Sequence, residues 1–140
     1  MVEQLQDIMT TDIHMVRSDA TLLDVARIMR DERVGNVLVA NRDGTLRGII
    51  TDRDIVVRAG AVGKVLDRTQ AGEICSNLLV KLPPSSTIDD AVKAMREYAI
   101  RRIPIVCDGQ PIGIVSIGDL ARHQDPRCAL AQISSAPPND

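Results

Sequence analysis

The chain carries one instruction twice. Gly48-Ile49-Ile50-Thr51-Asp52-Arg53-Asp54 recurs as Gly113-Ile114-Val115-Ser116-Ile117-Gly118-Asp119. Each copy reads glycine, two β-branched residues, a hydroxyl, two spacers and an aspartate. The correspondence extends over Asp7 to Ala59 and Glu73 to His123. A unit this short cannot bury both a sheet and its helices alone, so the duplication predicts two half-domains that share a core. The 140 residues suit one such module, because two independent domains of half that length would each be marginal.

Within each copy the periodicity places the elements. Leu22, Val25, Ala26 and Met29 form one helical stripe, and Ile88, Ala91, Val92 and Met95 form its counterpart. Thr21-x-x-Asp24 and Thr87-x-x-Asp90 have the hydroxyl-then-carboxylate spacing that caps a helix start. A strand near Asn36 to Ala40 and another near Ile103 to Val106 follow. Asp43-Gly44 and Asp108-Gly109 then signal hairpins, returning through Leu46 to Ile50 and Pro111 to Val115, with the second hairpin the shorter. Further helices are expected over Asp52 to Arg58 and Ile117 to Arg122. Extended lead-ins, Asp7-Ile8-Met9 and Glu73-Ile74-Cys75, precede the two copies. Gly60 to Gln70 reads as a linker, Arg127 to Ile133 as a short extra helix, and residues 134–140 as a disordered tail.

The repeated motif has two chemical readings. As local structure, Thr51 with Asp54 and Ser116 with Asp119 are capping boxes. As a site, a helix start presents N–H groups and a hydroxyl suited to phosphate, while a carboxylate one turn later accepts from the two hydroxyls of a ribose. Gly48 and Gly113 would allow a ligand close to the strand. No P-loop or dinucleotide fingerprint is present.

Composition removes other classes. The net charge is −2 with no basic stripe, and the aromatic residues reduce to Tyr98, so neither a phosphate-backbone surface nor a base-stacking platform is expected. No apolar run is long enough for a membrane span, and the N-terminus lacks the pattern of a signal peptide. The expected location is therefore the cytoplasm. Cys75, Cys107 and Cys128 form no CxxC pair and read as reduced, buried, apolar residues without a metal. His14 and His123 have no evident nucleophile or acid partner, and no catalytic residues are assigned.

Taken in order, the lead-ins, amphipathic helices, the strands at Val34-Gly35-Asn36-Val37-Leu38-Val39 and Arg101-Arg102-Ile103-Pro104-Ile105-Val106, and the two Gly-x-x-[Thr/Ser]-x-x-Asp segments resemble a tandem pair of CBS domains, the Bateman module. The chain is similar to the small stand-alone bacterial members of the hypoxic response protein type. The resemblance implies an α+β fold of two pseudo-symmetric βαββα units, 7–62 and 73–125, packed through their sheets with two clefts between them.

It further implies a non-enzymatic sensor, needing no cofactor, that takes AMP, ADP, ATP or another adenosyl compound in one or both clefts. Asp54 and Asp119 would hold the ribose, Thr51 and Ser116 the phosphate, and Arg53 and Arg102 would neutralise charge. Val37, Leu38, Ile103 and Pro104 would line the base. A homodimer and an unidentified partner protein are implied, with no nucleic acid or membrane. The alternative is a ligand-independent interaction module with degenerate clefts. Leu38 stands where the second copy has Pro104, and Asp52-Arg53 where it has Ile117-Gly118. The clefts are thus expected to be inequivalent, the second having fewer charged neighbours.

Overall fold

Four helix starts carry a hydroxyl three residues before an acid, and all four close as caps. The amides of Asp24, Asp54, Asp90 and Asp119 donate to the hydroxyls of Thr21, Thr51, Thr87 and Ser116 at 3.1–3.2 Å. These caps punctuate a chain that the computed structural model describes over residues 3–77, 80–125 and 127–137. The chain divides into two compact units, 13–78 and 1–12 with 79–140.

The first unit runs β1 (Met15–Arg17), α1 (Leu22–Glu32), β2 (Asn36–Ala40), β3 (Leu46–Thr51), α2 (Asp52–Asp54), α3 (Ala71–Ile74) and β4 (Ser76–Asn77). Its sheet order is β1-β2-β3-β4. β1 lies parallel to β2 with Met15 opposite Leu38, and β3 is antiparallel to both β2 and β4. Leu22 and Val25 of α1 pack on Val37, Val39 and Ile50, and Ile74 and Cys75 close the cluster. The helix expected over Asp52 to Arg58 is one α-turn followed by a π-helical turn, Ile55–Ala59. The Gly60 N–H there is shared by the carbonyls of Ile55 and Val56, beside a β-branched run (Ile55, Val56, Val57) that crowds regular i,i+4 packing. The expected linker contains two 3₁₀ turns, Gly60–Val62 and Leu66–Arg68.

The second unit holds α4 (Ile88–Tyr98), β5 (Arg102–Cys107), β6 (Gln110–Ser116), α5 (Ile117–Gln124) and α6 (Ala129–Ser135). Leu82 bridges Ile105 in parallel and Thr10 bridges Ile114 antiparallel, repeating the four-position order of the first sheet. Its cluster joins Leu5, Ala91, Ile103, Ile105, Val115 and Leu120. The β5–β6 turn has φ +53° at Asp108 and +80° at Gly109, the left-handed pair of a type I′ hairpin. The β2–β3 loop is longer, and Thr45 donates to Asp43 from both its amide and its hydroxyl, holding that carboxyl below its ordinary range.

One expectation changes here. The lead-ins are not simply extended: Leu5–Asp7 and Ala71–Ile74 are helical turns, because the acids Asp7 and Glu73 accept from the amides of Gln4 and Gln70. The compact units are also offset from the repeats 7–62 and 73–125. The lead-in of the first repeat (Leu5, Thr10) belongs to the unit that carries the second repeat, and the lead-in of the second (Ile74, Ser76) to the unit that carries the first. At the C-terminus, α6 runs through Ser134 to Ser135, and 138–140 of the expected tail lie outside the described residues.

Arg33 and Ala99 end α1 and α4 in the left-handed region, at φ 56° and 54°. A side chain is disfavoured there by about 1 kcal/mol relative to glycine. Ala99→Gly should therefore stabilise the protein by about 0.5–1 kcal/mol, read from the midpoint of urea unfolding. A loss of stability would show that the left-handed cap carries no penalty.

Candidate functional site

The two motif glycines serve the fold. A Cβ on Gly48 would lie 2.4 Å from the carbonyl oxygen of Ser76, and one on Gly113 would lie 2.6 Å from Met9 Sδ and 3.0 Å from the Thr10 carbonyl oxygen. The close approach expected of a ligand is made instead by the chain's own lead-in, which correctly occupies the space a side chain would fill.

At the start of α5 the motif builds a polar centre. The Asp119 carboxylate, 6 % exposed, accepts from the Ser116 amide at 2.9 Å and the Ser116 hydroxyl at 3.0 Å. Ser116 addresses Oδ2, while Thr10 Oγ1 reaches Oδ1 at 3.3 Å and the Arg122 guanidinium pairs with that same Oδ1. The backbone at Ile117 is tied to β5 through the Arg101 carbonyl at 3.0 Å. Together these residues line a cavity of about 440 Å³ with Arg101, Arg102, Gly118 and Ser134. The structure thus brings together Arg102, Ser116 and Asp119 of the residues expected from sequence.

The copy in the first unit differs. Asp54 is half-buried and accepts the Thr51 amide at 2.9 Å. Among the described residues no arginine forms an ion pair with it, and Arg53 is exposed. The positions of Arg101 and Arg102 are held there by Gly35 and Asn36, and that of Arg122 by Val57. This corrects the expectation that the second copy has fewer charged neighbours. Its charge comes from the start of β5 and the second turn of α5, not from the two spacers of the motif.

The strand residues are interior. Val37, Leu38, Ile103 and Pro104 are all completely buried. Val37 and Ile103 join the clusters of their own units, whereas Leu38 and Pro104 occupy the alternate strand face. The Leu38 amide donates to the His14 carbonyl at 2.9 Å, and the Pro104 carbonyl accepts from Leu82 at 3.1 Å.

Thr10, Arg101, Arg122 and Ser134 were not among the expected site residues. Arg122 was findable, because i,i+3 on a helix places it beside Asp119. Thr10 lies 109 residues from Asp119 and gave no local signal.

Other polar groups resolve into structural roles. His123 pairs with Glu3 at 2.9 Å. Of the cysteines only Cys75 is buried. Cys107 is exposed, and Cys128 is half-buried with its sulfur accepting the Ala131 amide, so the expectation of three buried thiols holds for one. Among the described residues no three His, Cys, Asp or Glu side chains gather in a way that could hold a metal, and no helix is long and apolar enough to cross a membrane.

The CBS domain family model matches residues 5–59 and 71–125. CBS domain-containing protein YhcV of Bacillus subtilis is 37% identical over 123 residues, covering 88% of this chain and 86% of that protein. Hypoxic response protein 1 of Mycobacterium tuberculosis is 31% identical over 131 residues, covering 94% of this chain and 91% of its own. A crystal structure of Hypoxic Response Protein I with two coordinated zinc ions has a TM-score of 0.79 at 30% identity, covering 86% of this chain and 98% of that one. A hexameric CBS-CP12 protein from bloom-forming cyanobacteria gives 0.76 at 25% identity, covering 95% and 76%. With both halves matched and the same βαββα order in each unit, the chain belongs to the CBS domain family and carries two copies of that domain in tandem.

Proposed function

We propose that this chain is a non-enzymatic regulatory module that binds an adenosine nucleotide in the cavity beside Asp119 and passes its state to a partner protein. The observation that carries the reading is a cavity lined by Arg101, Arg102 and Arg122 beside one buried carboxylate at a helix start. Phosphate would lie toward the arginines, the Ser116 hydroxyl and the positive end of α5. The ribose hydroxyls would address Asp119. A volume of about 440 Å³ fits the roughly 300–1,000 Å³ of small-molecule sites. Self-association of two chains belongs to the same proposal, supported by the hexameric relative; analytical ultracentrifugation giving a monomer at all concentrations would remove that part.

Isothermal calorimetry with AMP, ADP and ATP tests the site. Binding in the micromolar range is expected, weakened about tenfold by Arg102→Ala, since one charge-assisted phosphate contact contributes about 1.5 kcal/mol. Binding untouched by Arg102→Ala would place the ligand elsewhere.

A second reading has its own support. In the first unit Thr51 and Asp54 cap one another, and among the described residues no arginine forms an ion pair with Asp54, which is the pattern of a purely structural box. The first copy is then a helix cap, and the module has one ligand site.

A further inference from the structure

Asp119 has little acceptor capacity to spare. A carboxylate offers about four lone-pair positions, and the Ser116 amide, the Ser116 hydroxyl, Thr10 and Arg122 address them. A ribose diol can reach this group only if a present partner leaves. The partner most tied to something else is Arg122, whose second guanidinium nitrogen donates to the carbonyl of Ser134 at 3.1 Å. One side chain therefore connects the site carboxylate to the end of α6.

The seating of α6 is specific. Gly118, one residue before Asp119, is where α6 touches α5: a Cβ there would lie 2.6 Å from Ser134 Oγ and 2.8 Å from Ser134 Cβ. Ser134 itself lines the cavity. The hold is light. Ala131 is the buried residue of α6, while Leu130 and Ile133 are 42 % and 71 % exposed. A seven-residue helix held by small residues and one arginine belongs to the low-stability end of a structure. It also lies beyond the segment matched as the second CBS domain, so it is an addition to the repeat.

We propose that α6 is an autoinhibitory strap. Seated on Gly118, it holds Arg122 against Asp119 and keeps that carboxylate, within the cavity, from the nucleotide. Lifted, it releases Arg122 toward the phosphate and frees Asp119 for the ribose. This rests on the nucleotide reading of the same cavity. A strap closed about nine-tenths of the time weakens apparent affinity about tenfold.

The test uses the full chain, Gly118→Ala, which displaces Ser134, and Arg122→Gln, which cuts the link without crowding the helix. AMP affinity is measured by calorimetry and α6 exposure by amide hydrogen exchange over Ala131 to Ser135. The expected result is that both variants exchange faster in α6 without nucleotide, that Gly118→Ala, which keeps the Arg122 guanidinium for the phosphate, binds AMP about tenfold tighter, and that saturating AMP speeds α6 exchange in the unmodified chain. If Gly118→Ala loosens α6 but binds AMP equally or more weakly, or if AMP binds the unmodified chain with α6 exchange unchanged, the strap is overturned while the nucleotide reading stands. If none of the three proteins binds AMP, ADP or ATP, the nucleotide reading falls and takes the strap with it.

Discussion

Gly48→Ala will cost about 2–3 kcal/mol of stability, and Gly113→Ala about 1 kcal/mol, although both glycines hold the same place in the motif. The asymmetry follows from what each added methyl meets. At Gly48 it is backbone, the Ser76 carbonyl at 2.4 Å, with Cys75 Sγ at 3.2 Å beyond. Among the described residues β4 pairs with β3 at Gly48 and Ile49, so moving Ser76 disturbs that edge. At Gly113 the nearest atoms belong to the flexible side chain of Met9, which can turn aside, leaving Thr10 at 3.0 Å. Each alanine also restricts the unfolded chain, which offsets about 0.4–1 kcal/mol. Urea unfolding of the two variants measures the difference, and equal losses would contradict an exchanged lead-in as the reason for the glycines.

Asp119→Ala is expected to destabilise by about 2–3 kcal/mol, against about 1 kcal/mol for Asp54→Ala. Removing Asp54 loses a helix cap. Removing Asp119 loses a cap, leaves Arg122 without its carboxylate and strips Thr10 of its partner. Breaking a fully buried pair costs more, about 3–5 kcal/mol, but Arg122 is 36 % exposed and water recovers part of the loss. Thermal and urea unfolding of both variants, with Asp119→Ala/Arg122→Ala as the double mutant, isolates the pair. A double mutant no more stable than Asp119→Ala would show that the stranded arginine is not the source of the cost.

Each copy of the motif therefore has a structural duty before any ligand is considered, and among the described residues the second pairs its aspartate with an arginine. A nucleotide site in the second unit competes with the interactions that hold that unit together. That competition is what makes α6 the control point in the strap proposal: it stabilises the ligand-free arrangement through Arg122 and Ser134.

Much of this was legible in the residues because it depends on neighbours within one turn or one hairpin. The Thr/Ser-x-x-Asp spacing closes a cap wherever it occurs. Asp108-Gly109 adopts the left-handed pair that a two-residue hairpin requires. Leu22 and Val25 face the core because a helix repeats every 3.6 residues. The π-helical turn after Asp54 was not legible, since a β-branched run disfavours regular helix without selecting which wider turn replaces it.

The sequence by itself determined the duplicated βαββα order, the caps and the turns, and with them the two places where a hydroxyl and an aspartate meet at a helix start. The tertiary structure alone decided that each lead-in completes the unit of the other repeat, that Gly48 and Gly113 admit those lead-ins, and that Thr10, Arg101, Arg122 and Ser134 assemble around Asp119. The physical reason is range. Dihedral preference and hydrogen bonding across three or four residues are written locally, whereas a bond from Thr10 to a carboxylate 109 residues away exists only once strand pairing has set the register.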